Sequence, residues 1–177
     1  MMTVAKRCQT IELIVSDVDG VLTDGSIVYN NEGIETKRFH IRDGLGIKVW
    51  QRLGGKFGLV TGRNSHIVNL RAGELGIEIV RQGTEQKLAA LRELSGQFGL
   101  RPEQICYIGD DLPDLPAVRW AGLGVAVADG CSEVREAAHY VTTLPGGRGA
   151  VRETIELILR AQQRWDDVVQ KYEGTPG

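Results

Sequence analysis

Residues 11–25 read IELIVSDVDGVLTDG, an apolar run that ends in closely spaced acids. Residues 11–15 are a predicted strand, because a short and nearly continuous apolar run is typical of a strand buried within a sheet. Asp17 and Asp19 follow it directly, and side chains two residues apart on extended backbone point to the same side. Ligands of parallel α/β sheets bind beyond the carboxyl ends of the strands. The segment therefore predicts two carboxylates facing one crevice; a polar turn with either acid as a helix cap is the alternative.

The same alternation of apolar runs and helical patterns continues along the chain. Apolar positions recur at helical spacing from Leu88 to Phe98 and from Val151 to Leu159, and the second stripe extends to Trp165. Strands interleaved with helices imply crossover connections and a mostly parallel sheet covered on both faces. The fold class is therefore predicted to be α/β, a Rossmann-like three-layer sandwich. Further strands are predicted at residues 57–60, 77–80, 105–108, 124–127 and 140–141.

One segment interrupts this alternation directly after the first strand. Residues 27–29 and 34–40 flank a loop that contains a glycine, which predicts a β-hairpin flap where an α/β fold normally has a helix. No repeat, linker or change of composition divides the chain. Residues 1–177 are therefore expected to form a single domain, with flexible ends at residues 1–9 and 173–177.

Composition and charge exclude several classes of protein. The 177 residues include 21 Lys and Arg against 23 Asp and Glu, a formal net charge of −2, whereas nucleic-acid binders usually carry a basic face. No apolar run approaches the roughly 20 residues that a membrane span needs, and no signal peptide is recognisable. Cys8, Cys106 and Cys131 are far apart and predict free thiols in a reducing compartment. We therefore expect a cytoplasmic protein that binds neither nucleic acid nor membrane.

Polar groups also follow the other predicted strands. Thr61, Gly62 and Arg63 come after the strand at 57–60, and a hydroxyl with a guanidinium suits a phosphate or carboxylate ligand. Three acids lie within residues 110–114, and oxygen ligands of this kind suit Mg²⁺. Each signal has a structural alternative: Thr61 as a helix cap, Asp114 at a helix N-terminus, and Lys87 near the next helix start as a solvated surface charge.

The order Asp-x-Asp, Thr, Lys, Gly-Asp-Asp-x-x-Asp resembles the haloacid dehalogenase superfamily of phosphatases, whose four motifs occur in this sequence order. The resemblance implies that Asp17 is a nucleophile that becomes phosphorylated and that Asp19 is a general acid and base. It also implies that Thr61 and Lys87 hold the phosphoryl oxygens. Phosphoryl transfer depends mainly on positioning and charge neutralisation, which these residue types supply.

The resemblance further implies a Mg²⁺ cofactor. Its expected ligands are the Asp17 carboxylate, the Asp19 backbone carbonyl and the Asp110 carboxylate. Asp111 and Asp114 are expected in supporting positions.

A phosphoacceptor domain of the receiver type is the alternative from another class, but there the phosphorylated Asp follows the third strand. A metal-binding homologue without catalytic activity is a second alternative.

The spacing of the motifs leaves no room for a cap domain, since only 26 residues separate Thr61 from Lys87. Segments 39–48, 61–63 and 146–153 resemble the capless sugar acid phosphatases, and we expect the hairpin and the tail of a neighbouring subunit of a homotetramer to cover the site. The implied substrate is a small phosphorylated sugar acid, 3-deoxy-D-manno-octulosonate 8-phosphate, of the route to lipopolysaccharide; nine-carbon sugar acid 9-phosphates are the alternative. The implied substrate contacts are Asp19, His40, Ile41, Arg42, Asp43, Gly44, Lys48, Gly62, Arg63, Arg71 and Lys87.

Overall fold

The computed structural model describes residues 2–174 and contains a parallel sheet of six strands flanked by helices. The strands are β1 (Leu13–Ser16), β2 (Val28–Tyr29), β3 (Glu35–Thr36), β4 (Lys56–Val60), β5 (Ile79–Arg81), β6 (Ile105–Gly109), β7 (Leu123–Ala126) and β8 (Tyr140–Val141). The helices are α1 (Val4–Cys8), α2 (Ile41–Arg52), α3 (His66–Leu75), α4 (Lys87–Phe98), α5 (Leu115–Trp120), α6 (Ser132–Ala137), α7 (Ala150–Ala161) and α8 (Trp165–Glu173).

The sheet has the order β5-β4-β1-β6-β7-β8, and every adjacent pair of strands in it is parallel. Successive side chains of β1 enter different cores: Ile14 packs with α1, α2, α3, α7 and α8, whereas Leu13 and Val15 pack with α4, α5 and α6. Helices therefore cover both faces, and the predicted three-layer sandwich is confirmed. No described helix is long and apolar enough to cross a lipid bilayer.

The flap after β1 is a short antiparallel hairpin of β2 and β3, separate from the main sheet. Its apolar side chains Ile27, Val28, Tyr29 and Ile34 are exposed. Within residues 2–174, this hairpin and α2 are the only elements between β1 and β4, so a cap domain is absent there, as predicted.

Two element boundaries differ from the predictions in an informative way. The strand predicted at 77–80 is found at Ile79–Arg81. The helix expected to continue to Trp165 ends at Ala161, because Gln163 adopts a positive φ of 58° and turns the chain before α8 begins. No glycine or proline marks that turn, and Trp165 is buried like the apolar residues of α7.

The expected flexible ends also differ. Residues 4–8 form helix α1, whose Cys8 is completely buried, and Gln162 Nε2 donates to the carbonyls of Cys8 (3.0 Å) and Ile11 (2.9 Å). These contacts attach α1 to the end of α7, so residues 4–8 of the end that was predicted to be flexible form a packed helix. At the other end Glu173 closes α8, and residues 175–177 lie outside the described residues.

Candidate active site

The predicted motifs meet at the carboxyl edge of the sheet. Asp17 follows β1, Thr61 follows β4 and Asp110 follows β6, because parallel neighbours end at the same edge. A cavity of about 610 Å³ opens there. The described residues that line it are Asp17, Asp19, Gly25, Thr61, Gly62, Arg63, Thr84, Glu85, Lys87, Asp110, Asp111 and Pro113.

Lys87 is a buried ion-pair partner. Its Nζ atom donates to Asp17 Oδ2 (2.7 Å) and to Asp114 Oδ1 (2.6 Å), and the side chain is 5% exposed. Burial alone lowers the pKa of this ammonium, but the two carboxylates outweigh burial and leave the pKa raised. The alternative of a solvated surface charge is therefore wrong, and a fixed positive charge stands beside Asp17.

Asp114 orients this lysine. Its Oδ1 also accepts from the Tyr107 hydroxyl (2.7 Å), and its Oδ2 accepts from the backbone N–H groups of Asp110 (3.1 Å) and Asp111 (3.3 Å). Both oxygens are thus occupied by donors within the chain. Asp114 thus supports the site by holding Lys87. The Asp114 side chain makes no helix-cap hydrogen bond to α5.

The carboxylates of Asp17, Asp110 and Asp114 offer oxygens that lie within 4.8 Å of one another. Burial, reinforced by Asp114, raises the pKa of Asp17 to about 7 although Lys87 opposes the shift. Burial, with Asp114 and Asp17, likewise raises the pKa of Asp110 to about 8. Asp110 Oδ1 is buried and has no hydrogen-bond partner within residues 2–174. Carboxylates this close together, with the Asp110 Oδ1 atom left without a donor among the described residues, suit a hard divalent cation.

The backbone at Gly20 allows this crowding. Gly20 has a φ of +88°, and a Cβ atom there would overlap the Asp110 carboxylate. Only glycine adopts this conformation without strain while leaving room for the acid. Asp111 is not one of the clustered acids: its Oδ1 accepts from the Leu112 N–H (2.8 Å), although the residue lines the cavity.

Asp19 belongs to a second group of charges that the sequence analysis missed. Lys37 Nζ donates to Asp19 Oδ1, and Lys37 lies 3.4 Å from Glu35 Oε1. Arg63 NH2 donates to the same Glu35 oxygen (2.6 Å), and Ser65 Oγ donates to Glu35 Oε2 (3.0 Å). We call Asp19, Glu35, Lys37 and Arg63 the hairpin network. The feature of the sequence that could have indicated this network is the spacing of Glu35 and Lys37. Side chains two residues apart on extended backbone lie on the same face.

Thr61 is 2% exposed and lines the cavity, and the residue that precedes α3 is Ser65. The alternative of Thr61 as the cap of that helix is therefore wrong. Gly62 and Arg63 line the cavity beside it, as the prediction of substrate contacts requires.

The remaining predicted substrate contacts lie outside this cavity. Asp43 is 1% exposed and accepts from the Arg152 N–H (2.8 Å), so its carboxylate caps the start of α7; its contact with substrate stays a prediction. Gly44 packs against Arg71, which pairs with Glu74 (3.0 Å). Four further predicted substrate contacts lie on α2 or at its N-cap. His40 is half-buried, whereas Ile41, Arg42 and Lys48 are exposed.

Comparisons with known proteins agree with this geometry. A family model described as haloacid dehalogenase-like hydrolase matches residues 64–152. The chain is 45% identical over 161 residues to the 3-deoxy-D-manno-octulosonate 8-phosphate phosphatase KdsC of Yersinia pestis, covering 91% of this chain and 86% of the relative. The same phosphatase from Moraxella catarrhalis, solved in complex with magnesium ion, phosphate ion and a KDO molecule, gives a TM-score of 0.94 at 46% identity, covering 96% and 97% of the two chains. A probable YrbI family phosphatase from Pseudomonas syringae gives 0.95 at 46% identity, covering 97% and 98%.

Proposed function

The chain belongs to the haloacid dehalogenase-like hydrolases, and from that premise we propose that it is a magnesium-dependent phosphatase. Its substrate in this proposal is 3-deoxy-D-manno-octulosonate 8-phosphate, which it hydrolyses to the free sugar acid and phosphate. The observation that carries the proposal is the buried Lys87–Asp17 pair beside Asp110 at the carboxyl edge of the sheet. Relatives named for this activity match the chain over nearly its whole length.

Asp17 is the proposed nucleophile. One oxygen of its carboxylate forms a bond to phosphorus while the bond from phosphorus to the sugar oxygen breaks, which gives an aspartyl phosphate. Oδ1 of Asp17 accepts from the Val18 N–H (2.7 Å) and Oδ2 accepts from Lys87 (2.7 Å), so the carboxylate is held rigidly. Lys87 and Thr61 then bind phosphoryl oxygens, and the ammonium offsets the repulsion between carboxylate and phosphate.

Asp19 moves the protons. It gives a proton to the sugar oxygen as that oxygen leaves phosphorus, and it later takes a proton from the water that attacks the aspartyl phosphate. The second attack breaks the bond between phosphorus and Asp17 and restores the free carboxylate. Asp19 lies two residues beyond Asp17 and lines the same cavity, as both steps require.

The acidic cluster is the proposed magnesium site. The residues that would hold the ion are the carboxylates of Asp17 and Asp110, with the backbone carbonyl of Asp19. When bound, Mg²⁺ supplies positive charge that offsets the carboxylates and the phosphoryl oxygens. The unpartnered Asp110 Oδ1 and the raised pKa values of Asp17 and Asp110 are the observations that support this site.

We extend the proposal to a homotetramer. Exposed apolar side chains lie on the hairpin, at Ile27, Val28, Tyr29 and Ile34, and on the helices α2 and α3, at Ile41, Leu45 and Leu70. A capless site gains cover if such surfaces pair between copies, and the exposed Arg42 and Lys48 would then reach a neighbouring cavity. Analytical ultracentrifugation is expected to give a mass near four times 19.4 kDa.

The three free cysteines support the cytoplasm as the place of action.

Phosphate release tests the proposed function. With Mg²⁺ present, the protein is expected to hydrolyse octulosonate 8-phosphate faster than nononate 9-phosphate or hexose phosphates. Asp17→Asn is expected to lose about 10³-fold or more of the activity, because the nucleophile is removed. Asp167→Asn makes the same chemical change at an exposed position on α8 and should keep full activity. Equal turnover by Asp17→Asn and the unaltered protein would refute the nucleophile assignment.

A further inference from the structure

The hairpin reaches the proposed general acid directly. Lys37 lies just beyond β3, and its Nζ atom donates to Asp19 Oδ1. The Lys37 side chain is 1% exposed, so this ammonium is buried against the carboxylate. A buried ammonium is tolerated only where acceptors satisfy it, and Asp19 and Glu35 are its ion-pair partners within the described residues.

Glu35 fixes the strand that carries this lysine. Its carboxylate accepts from Arg63 and from Ser65, both in the loop after β4. Burial alone raises the pKa of Glu35, but Ser65, Lys37 and Arg63 outweigh it and leave the pKa lowered. Glu35 therefore stays ionised and attaches β3 to the edge of the main sheet, which holds Lys37 at Asp19.

The two oxygens of Asp19 differ as a result. Oδ1 accepts from Lys37, whereas Oδ2 is buried and no donor in residues 2–174 reaches it. Arg63 approaches Oδ2 through its Nε atom at 4.0 Å, which is too far for a hydrogen bond. Asp19 lines the cavity, and Oδ2 is the oxygen of its carboxylate that no hydrogen bond within the described residues occupies.

We propose that Lys37 is a positioning residue for Asp19, a role that rests on the proposed function. By holding Oδ1, Lys37 leaves Oδ2 as the oxygen that gives its proton to the departing sugar oxygen as the bond to phosphorus breaks. The same Oδ2 takes a proton from water as the water oxygen bonds to phosphorus and the Asp17–phosphorus bond breaks. The hydrogen bond to Oδ1 persists in both states, since that oxygen accepts whether or not Oδ2 carries the proton.

Two substrates that differ in their leaving group test this role. The alkoxide of a sugar phosphate needs a proton to leave, whereas the weakly basic p-nitrophenolate leaves p-nitrophenyl phosphate without one. A general acid contributes about 10²–10⁴-fold to the rate. Lys37→Met is therefore expected to lower kcat/KM on the sugar acid phosphate by about 10²-fold and kcat/KM on p-nitrophenyl phosphate by less than about fivefold, because kcat/KM reports the steps up to loss of the leaving group and not the later hydrolysis that both substrates share. Lys37→Arg, which keeps a donor, should recover part of the loss.

The ratio of the two kcat/KM values is measured in one preparation, so any loss of folded protein cancels. Arg38→Ala removes the same charge from the adjacent exposed residue and should leave both rates unchanged. Equal losses on both substrates in Lys37→Met, or no loss on either, would overturn the proposal. Asp19→Asn separates the two hypotheses. If Asp19→Asn loses more activity on the sugar acid phosphate than on p-nitrophenyl phosphate and Lys37→Met does not, only the role of Lys37 is rejected. If Asp19→Asn loses equally on both substrates, the proton transfers of the proposed function are rejected.

Discussion

Removal of divalent cations is expected to make the protein less stable as the pH rises. Burial and the neighbouring Asp114 raise the pKa of Asp17 from 3.8 to about 7. A carboxyl group with a raised pKa keeps its proton in the folded state after the unfolded chain has released it. Its contribution to stability is therefore fully present below pH 3.8 and is lost as the pH rises through about 7. At about 1.36 kcal/mol per pKa unit, a rise of about three units corresponds to about 4 kcal/mol.

About 2 kcal/mol of that loss falls between about pH 5.5 and pH 7.5, the range accessible to urea unfolding. Asp110, whose pKa burial and the nearby acids raise to about 8, adds a loss of the same sign. A bound divalent cation favours the ionised carboxylates, so the free energy of unfolding in excess Mg²⁺ should lose this dependence. The measurement compares urea unfolding in EDTA with unfolding in Mg²⁺ across this pH range, with NaCl added to equal ionic strength.

The comparison isolates the acidic cluster, because groups elsewhere in the chain titrate alike in both buffers. Asp110→Asn is the internal control: it removes one of the crowded acids and should flatten the pH dependence measured in EDTA. Parallel curves in EDTA and in Mg²⁺ would refute the reasoning, as would a metal-free stability that increases with pH.

Two further substitutions test the backbone of the site and a carboxylate that attaches α7 to β8. Gly20→Ala places a methyl group against the Asp110 carboxylate at a φ of +88°, so Mg²⁺ affinity, measured by titration calorimetry, is expected to fall about tenfold or more. Glu153 accepts from the Tyr140 hydroxyl (2.7 Å) and from the Thr143 N–H (2.7 Å), and these bonds lower its pKa although burial opposes them. Glu153→Gln should therefore cost about 1–3 kcal/mol of unfolding free energy at neutral pH. The cost should disappear in acid, because a lowered pKa contributes stability above pH 4.5 that is lost as the pH falls through the folded-state value.

The motifs of the candidate site were predictable because each depends on a local rule. Buried strands of a parallel sheet are short apolar runs, and their carboxyl ends meet at one edge, so Asp17, Thr61 and Asp110 could be placed together from sequence alone. The break between α7 and α8 follows no such rule. Gln163 adopts a positive φ without being glycine, and the apolar spacing continues through it to Trp165.

The hairpin network was not predicted because its contacts join distant parts of the chain. Lys37 and Asp19 lie 18 residues apart, and Glu35 and Arg63 lie 28 apart. Their pairing depends on how the hairpin lies against the sheet edge, and the hairpin's short strands do not specify that. For the same reason the resemblance of segment 39–48 to sugar acid phosphatases could not show that Asp43 caps α7 within its own chain.

Burial and charge together distinguish the inner cluster from the hairpin network. The inner cluster sets three carboxylates, Asp17, Asp110 and Asp114, against Lys87, which leaves two negative charges without a partner. The hairpin network pairs two carboxylates with two cations and needs no further ion. Burial is the main cause of the raised pKa values of Asp17 and Asp110 and the neighbouring acids add to it, whereas at Glu35 the bonds and charges of Ser65, Lys37 and Arg63 outweigh burial and lower the pKa. A divalent cation supplies the charge that the inner cluster lacks, so the protein's need for metal originates in these three acids.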